Sequence, residues 1–125
     1  VGYTIFRAGE LEFRTPERGD QRRGIVRLSE AMRSMRANIW RMPPGARGRR
    51  HLERVQDELF VVLEGAGTML LADPPERVEL PQGSIVVVEA GTPLQFRNES
   101  EAEAVVLIVG APPEPGQADY LPDVD

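Results

Sequence analysis

His51 is the only histidine in a chain of 125 residues, and two carboxylates, Glu53 and Glu58, follow it closely. His51 and Glu53 are i and i+2, so on a β-strand both side chains leave the same face. Glu58 begins the next apolar stretch, where it can stand opposite them. One imidazole nitrogen and two carboxylates form a harder donor set than three imidazoles. Such a set suits Mn²⁺ or Fe²⁺ better than Cu²⁺, and Zn²⁺ is feasible. Three protein donors with open positions would serve Lewis-acid or dioxygen chemistry. The alternative is a metal-free interior in which His51 hydrogen-bonds Glu53 or Glu58.

Other chemistries are excluded by composition. The absence of cysteine removes disulfides, thiolate ligands and thiol nucleophiles. All fifteen basic residues are arginine, so no lysine Schiff base can form. A GC-rich genome accounts for that bias more simply than function does. Arg47, Arg49 and Arg50 precede His51, and Arg97 follows later; arginine forks hold carboxylates or phosphates well, although a solvated loop is the simpler reading. Trp40, Met42, Phe60 and Phe96 read first as core filling. If a ligand enters the interior, the candidate contacts are Arg49, Phe60, Leu94, Phe96 and Arg97.

The elements that must position these residues are short. Eleven prolines and twelve glycines divide the chain into pieces without sustained helical periodicity. Only residues 28–35 (LSEAMRSM) suit a helical turn or two, with Ser29 as N-cap. Strands are expected at 3–6, 24–28, 34–42, 50–53, 59–63, 67–72, 77–80, 84–88, 95–98 and 104–109, the pattern of a sandwich or barrel. Glu64-Gly65-Ala66-Gly67, between two apolar runs, reads as a hairpin turn. The run from Ile85 to Val88, apolar on both faces, reads as a strand in the middle of a two-layer structure. Residues 111–125 are proline-rich and acidic and read as an extended tail pinned by Tyr120 and Leu121.

The spacing Gly45-x5-His51-x-Glu53-x4-Glu58-x6-Gly65 resembles the first motif of the cupin superfamily, and Gly83, Gly91 and Asn98 fall at the spacings of the second. The resemblance runs from about Trp40 to Val109. It implies an all-β, double-stranded β-helix or jelly-roll barrel, a single domain over residues 1–125 with its core at about 34–110. In cupins two histidines and a glutamate of the first motif, with a histidine of the second, commonly hold one divalent metal. By that resemblance His51 and Glu58 are kept, Glu53 replaces the second histidine, and Leu94 replaces the last. Gln95 is a candidate fourth ligand only if a bulge turns it inward. The proline of the second motif is Glu89. A divalent metal (Mn, Fe or Zn) is therefore expected to be weakly held or absent.

Three functions follow: a barrel that binds a small molecule, a metal-dependent enzyme of dioxygenase, decarboxylase or isomerase type, or a structural dimer module. The first is favoured. Residues 1–54 carry a net charge of +7 and residues 55–125 one of −12. That asymmetry would steer anions to one face, unless the halves interleave into a mixed surface, which is the favoured reading. Overall acidity argues against nucleic acid. No apolar run is long enough to span a bilayer, and no signal peptide is visible, so the expected location is cytoplasmic and membrane-free. Exposed strand edges call for a homodimer, with the N-terminal strand or the tail at the contact.

Overall fold

A computed structural model describes residues 2–113 and 116–124. Among them are ten strands: β1 (Gly24–Val26), β2 (Arg36–Met42), β3 (His51–Glu53), β4 (Asp57–Glu64), β5 (Gly67–Leu71), β6 (Glu76–Leu80), β7 (Ile85–Val88), β8 (Leu94–Arg97), β9 (Ala104–Ala111) and β10 (Ala118–Tyr120). They form two five-stranded sheets, ordered β1-β2-β9-β4-β7 and β10-β3-β8-β5-β6. Every pairing is antiparallel. The all-β double-stranded helix expected from the sequence is the architecture found. No helix of the described residues is long and apolar enough to cross a membrane.

The two sheets close on a core that includes Met42, Phe60, Val62, Met69, Phe96 and Val106. Phe60 of one sheet stacks on Phe96 of the other, with ring centroids 6.3 Å apart and planes 5° from parallel. Burial of each such side chain contributes about 1.5–3 kcal/mol, so the inward residues hold the sheets face to face. Period-two alternation then decides which residues reach the interior. On β8, Leu94 and Phe96 face the core, and Gln95 and Arg97 face outward. All four are buried because the C-terminal segment covers the outer side of the strand.

Several local expectations need correction. Residues 64–67 do not form a hairpin, because β4 and β5 lie in different sheets. The chain crosses between sheets at Gly65, whose φ is +70° and where a side chain would collide with the Glu103 carbonyl. Two apolar runs flanking a glycine turn look alike whether the second strand returns beside the first or crosses the core. β7 is an edge strand, paired only with β4, and it exposes Ile85 and Val87 rather than burying both faces. Residues 3–6 form no strand, and Tyr3 and Ile5 are exposed. The helical segment is a single 3₁₀ turn, Leu28–Ala31. Ser29 does not cap it; the hydroxyl accepts from Ala37 N at 2.9 Å and donates to Ala37 O at 3.0 Å, tying the turn to β2.

The tail is more regular than expected. Its proline-free stretch Ala118–Tyr120 forms β10, in register with β3 so that Tyr120 pairs with His51. Leu121 N donates to Arg50 O at 2.9 Å, and Arg54 N to Gln117 O at 2.8 Å. Of the terminal residues in the sequence reading, Val1, Glu114, Pro115 and Asp125 lie outside the described residues.

Candidate functional site

His51 sits on β3 with Leu94 as its direct cross-strand partner on β8 and the Tyr120 ring beside it, centroids 5.8 Å apart. Its Nδ1 lies 2.9 Å from the Arg49 carbonyl oxygen. A carbonyl only accepts, so Nδ1 carries a hydrogen and the ring is fixed with Nε2 facing inward. Nε2 lies 3.2 Å from Glu53 Oε2 and 3.4 Å from Glu58 Oε1. Glu53 shares the strand and face of His51. Glu58 comes from β4 in the opposite sheet, so the group spans the barrel. The three donor atoms lie within 4.8 Å of one another.

Electrostatics at this cluster are unbalanced. Burial of the imidazole pulls its pKa down, but its contacts with the Glu53 and Glu58 carboxylates and the Arg49 carbonyl outweigh that and raise it to about 10. Without another cation, His51 is an imidazolium at neutral pH, one positive charge between two carboxylates. It leaves Glu53 Oε1 and Glu58 Oε1 buried without a hydrogen bond; the Glu58 contact at 3.4 Å is an attraction of charges, not a hydrogen bond. An unpartnered buried carboxylate oxygen is costly. The residues therefore fit a divalent cation, which His51 Nε2, Glu53 and Glu58 would hold, with the Arg49 carbonyl orienting the imidazole behind it. Such an ion, when bound, supplies a Lewis acid with open positions.

The fourth position is closed. Leu94 is 2% exposed and presents hydrocarbon where a donor would enter. Gln95 does not replace it. Its Nε2 donates to Gly48 O at 2.9 Å and Asp123 Oδ1 at 3.1 Å, while its Oε1 accepts from Arg97 Nε at 2.9 Å. The strand keeps its register with β5 through these positions, so no bulge turns Gln95 inward. Arg97 likewise serves the outer face, donating to Val124 O.

A cavity of about 360 Å³ opens onto the cluster and is lined by His51, Glu53, Glu58, Phe60, Leu94 and Phe96. That volume is at the lower end for small-molecule sites. Of Arg47, Arg49 and Arg50, only Arg49 lines it. Arg47 pairs with Asp123 at 3.4 Å, and Arg50 donates to Pro122 O at 3.1 Å, so the C-terminal segment holds both. The sequence reading did not anticipate the charged residues that complete the wall, Glu17, Arg18, Arg23, Arg27 and Arg36, nor Tyr120 beside them. Most of these lie outside the motif that located the site. Their only signal was the crowding of arginine into the first half of the chain.

The family model for the cupin domain matches residues 38–110. No curated protein sequence matches significantly. Among solved structures, a sugar phosphate isomerase from a cupin superfamily, from Silicibacter pomeroyi DSS-3, is 30% identical with a TM-score of 0.72; the alignment covers 81% of this chain and 66% of that one. This chain thus spans just under two thirds of that relative's length. The polyketide cyclase RemF from Streptomyces resistomycificus is 14% identical with a TM-score of 0.82, covering 98% and 88%. KdgF from Halomonas sp. is 19% identical with a TM-score of 0.75, covering 90% and 96%. At those identities the last two speak for the fold alone. The barrel, the two motifs and a family match over more than half the sequence agree: the chain belongs to the cupin domain family.

Proposed function

We propose that this barrel binds a small organic molecule in its cavity, next to a divalent cation held weakly by His51, Glu53 and Glu58. One observation carries the reading: three metal-competent donors converge within 4.8 Å on the wall of a cavity of about 360 Å³. Native mass spectrometry of protein purified without a metal-affinity step, paired with elemental analysis, is the test. The expected result is a small-molecule adduct that is lost on unfolding. The reading is abandoned if no adduct is seen and no neutral or anionic compound in a broad panel raises the melting temperature.

A second reading, a metal-dependent isomerase, is favoured by the 30% identity to a protein described as a sugar phosphate isomerase and by the orphaned carboxylate oxygens. In it Glu53 or Glu58 would take a proton from one substrate carbon and return it to the neighbouring one, and a cation held there would supply a Lewis acid. A stoichiometric metal, retained or restored by adding Mn²⁺ or Fe²⁺, would raise this reading above simple binding.

A further inference from the structure

Of the fifteen arginines, eight are ion-paired; among the described residues seven are not, and of these only Arg7 and Arg33 lie away from the cavity. Arg14, Arg22, Arg41, Arg47, Arg50, Arg54, Arg77 and Arg97 each lie within salt-bridge distance of a carboxylate. Among the described residues, none of the five that line the cavity (Arg18, Arg23, Arg27, Arg36 and Arg49) does so. Glu17, Glu53 and Glu58 share that lining, but the five guanidinium groups outnumber them, and such an excess leaves positive potential inside the cavity.

Arg23 is the most constrained of the five. It is 6% exposed, packs over the Trp40 ring at 4.4 Å, and donates to Asp20 O at 2.9 Å and Arg18 O at 3.0 Å. Both acceptors are neutral carbonyls, and Nη1 has no hydrogen-bond partner among the described residues. The carboxylate of the same loop, Asp20, is held by Arg22 through two side-chain contacts at 3.0 and 2.6 Å. Arg49 lies alongside: its side chain and that of Arg23 both close on the space over Gly19, and its guanidinium stacks on Tyr120 at 3.6 Å. Two neighbouring guanidinium groups, one buried, repel each other unless an anion sits between them. Stacking on Trp40 and Tyr120 fixes both planes in advance, as a bidentate oxyanion site requires.

We propose that the cavity's ligand is a small organic anion whose phosphate or carboxylate is seated between Arg23 and Arg49. The proposal rests on the cavity-binding reading above and adds the ligand's chemical class. It also gives the ligand a direction, with its acidic group at the arginine wall and an uncharged oxygen facing His51, Glu53 and Glu58, where a second negative group would meet two carboxylates.

Trp40 is the only tryptophan and lies under Arg23, so its fluorescence reports on the site. The experiment titrates intact protein with inorganic phosphate, with succinate and with glucose, each at ionic strength matched with chloride. A saturable change is expected for phosphate or succinate, and the better of the two identifies the oxyanion. Arg49→Gln should weaken it by about tenfold or more. Arg23→Gln should do the same if it folds; Arg49→Gln keeps the test decisive if it does not. Arg33→Gln, away from the cavity, should leave it unchanged. A response to glucose alone, or a retained molecule that proves neutral, overturns the anion assignment and leaves cavity binding standing. No response to any probe, with no retained molecule, overturns both.

Discussion

At His51 one ring nitrogen is committed to position and the other to chemistry. The Arg49 carbonyl holds Nδ1, and Nε2 meets the two carboxylates. This much was legible in the sequence, because i, i+2 spacing on a strand dictates a shared face and there was only one imidazole to place. What spacing could not say is that Glu58 arrives from the opposite sheet. Leu94 is the informative departure. As the cross-strand partner of His51, it stands where a fourth donor would reach the same ion. Leu94→His should tighten Mn²⁺ or Zn²⁺ binding by at least about tenfold, an increment of roughly 1.4 kcal/mol. Adding His51→Ala should abolish the gain. Titration calorimetry that finds no change, with the barrel's circular dichroism intact, would mean that residues 51, 53, 58 and 94 do not share one ion.

The strands themselves were mostly readable, since glycine and proline mark their ends. Which sheet each strand joins was not. That choice is made by contacts distant in sequence, such as the Glu103 carbonyl against Gly65, and a local pattern carries no trace of them. The C-terminal segment shows the same limit from the other side. Its prolines argued for an irregular tail, yet three residues free of proline pair with β3 and carry Tyr120 onto His51 and Arg49. Asp123 and the Val124 carbonyl then meet Gln95 and Arg97, polar groups that would otherwise line an open outer face. Truncation after Gln117 removes these partners together. It should lower the unfolding free energy by roughly 2–4 kcal/mol, at about 1 kcal/mol for each well-placed hydrogen bond lost, as measured by urea denaturation. It should also loosen the His51 ring by removing its neighbour. A truncated chain as stable as the full one would make the segment an accessory, not part of the barrel.

Over the whole molecule, the charge asymmetry of the sequence resolves into two parts. Arg41, Arg47, Arg50 and Arg54 of the first half pair with Glu103, Asp123, Asp73 and Asp119 of the second, so the halves interleave as expected. Of the seven arginines without such a partner among the described residues, five gather at the cavity. Apolar surface is distributed less evenly. Ile85 and Val87, at 64% and 65% exposure, stand on the outer side of β7, the free edge of its sheet, and Leu63 and the N-terminal Tyr3, Ile5 and Phe6 are exposed as well. The tail is already used within the subunit, covering β3, and of the remaining edges the β7 edge carries exposed apolar side chains, which with the N-terminal segment make the surface a second copy would cover. The expected homodimer should therefore bury Ile85 and Val87. In multi-angle light scattering at micromolar concentration the chain should run as a dimer, and Val87→Asp, which places a charge at the centre of that contact, should shift it to monomer without altering the barrel's circular dichroism. Removing the residues before Ala8 tests whether the N-terminal segment contributes. A wild-type chain that is monomeric throughout, or a dimer indifferent to Val87→Asp, would mean that the apolar edge is not where two copies meet.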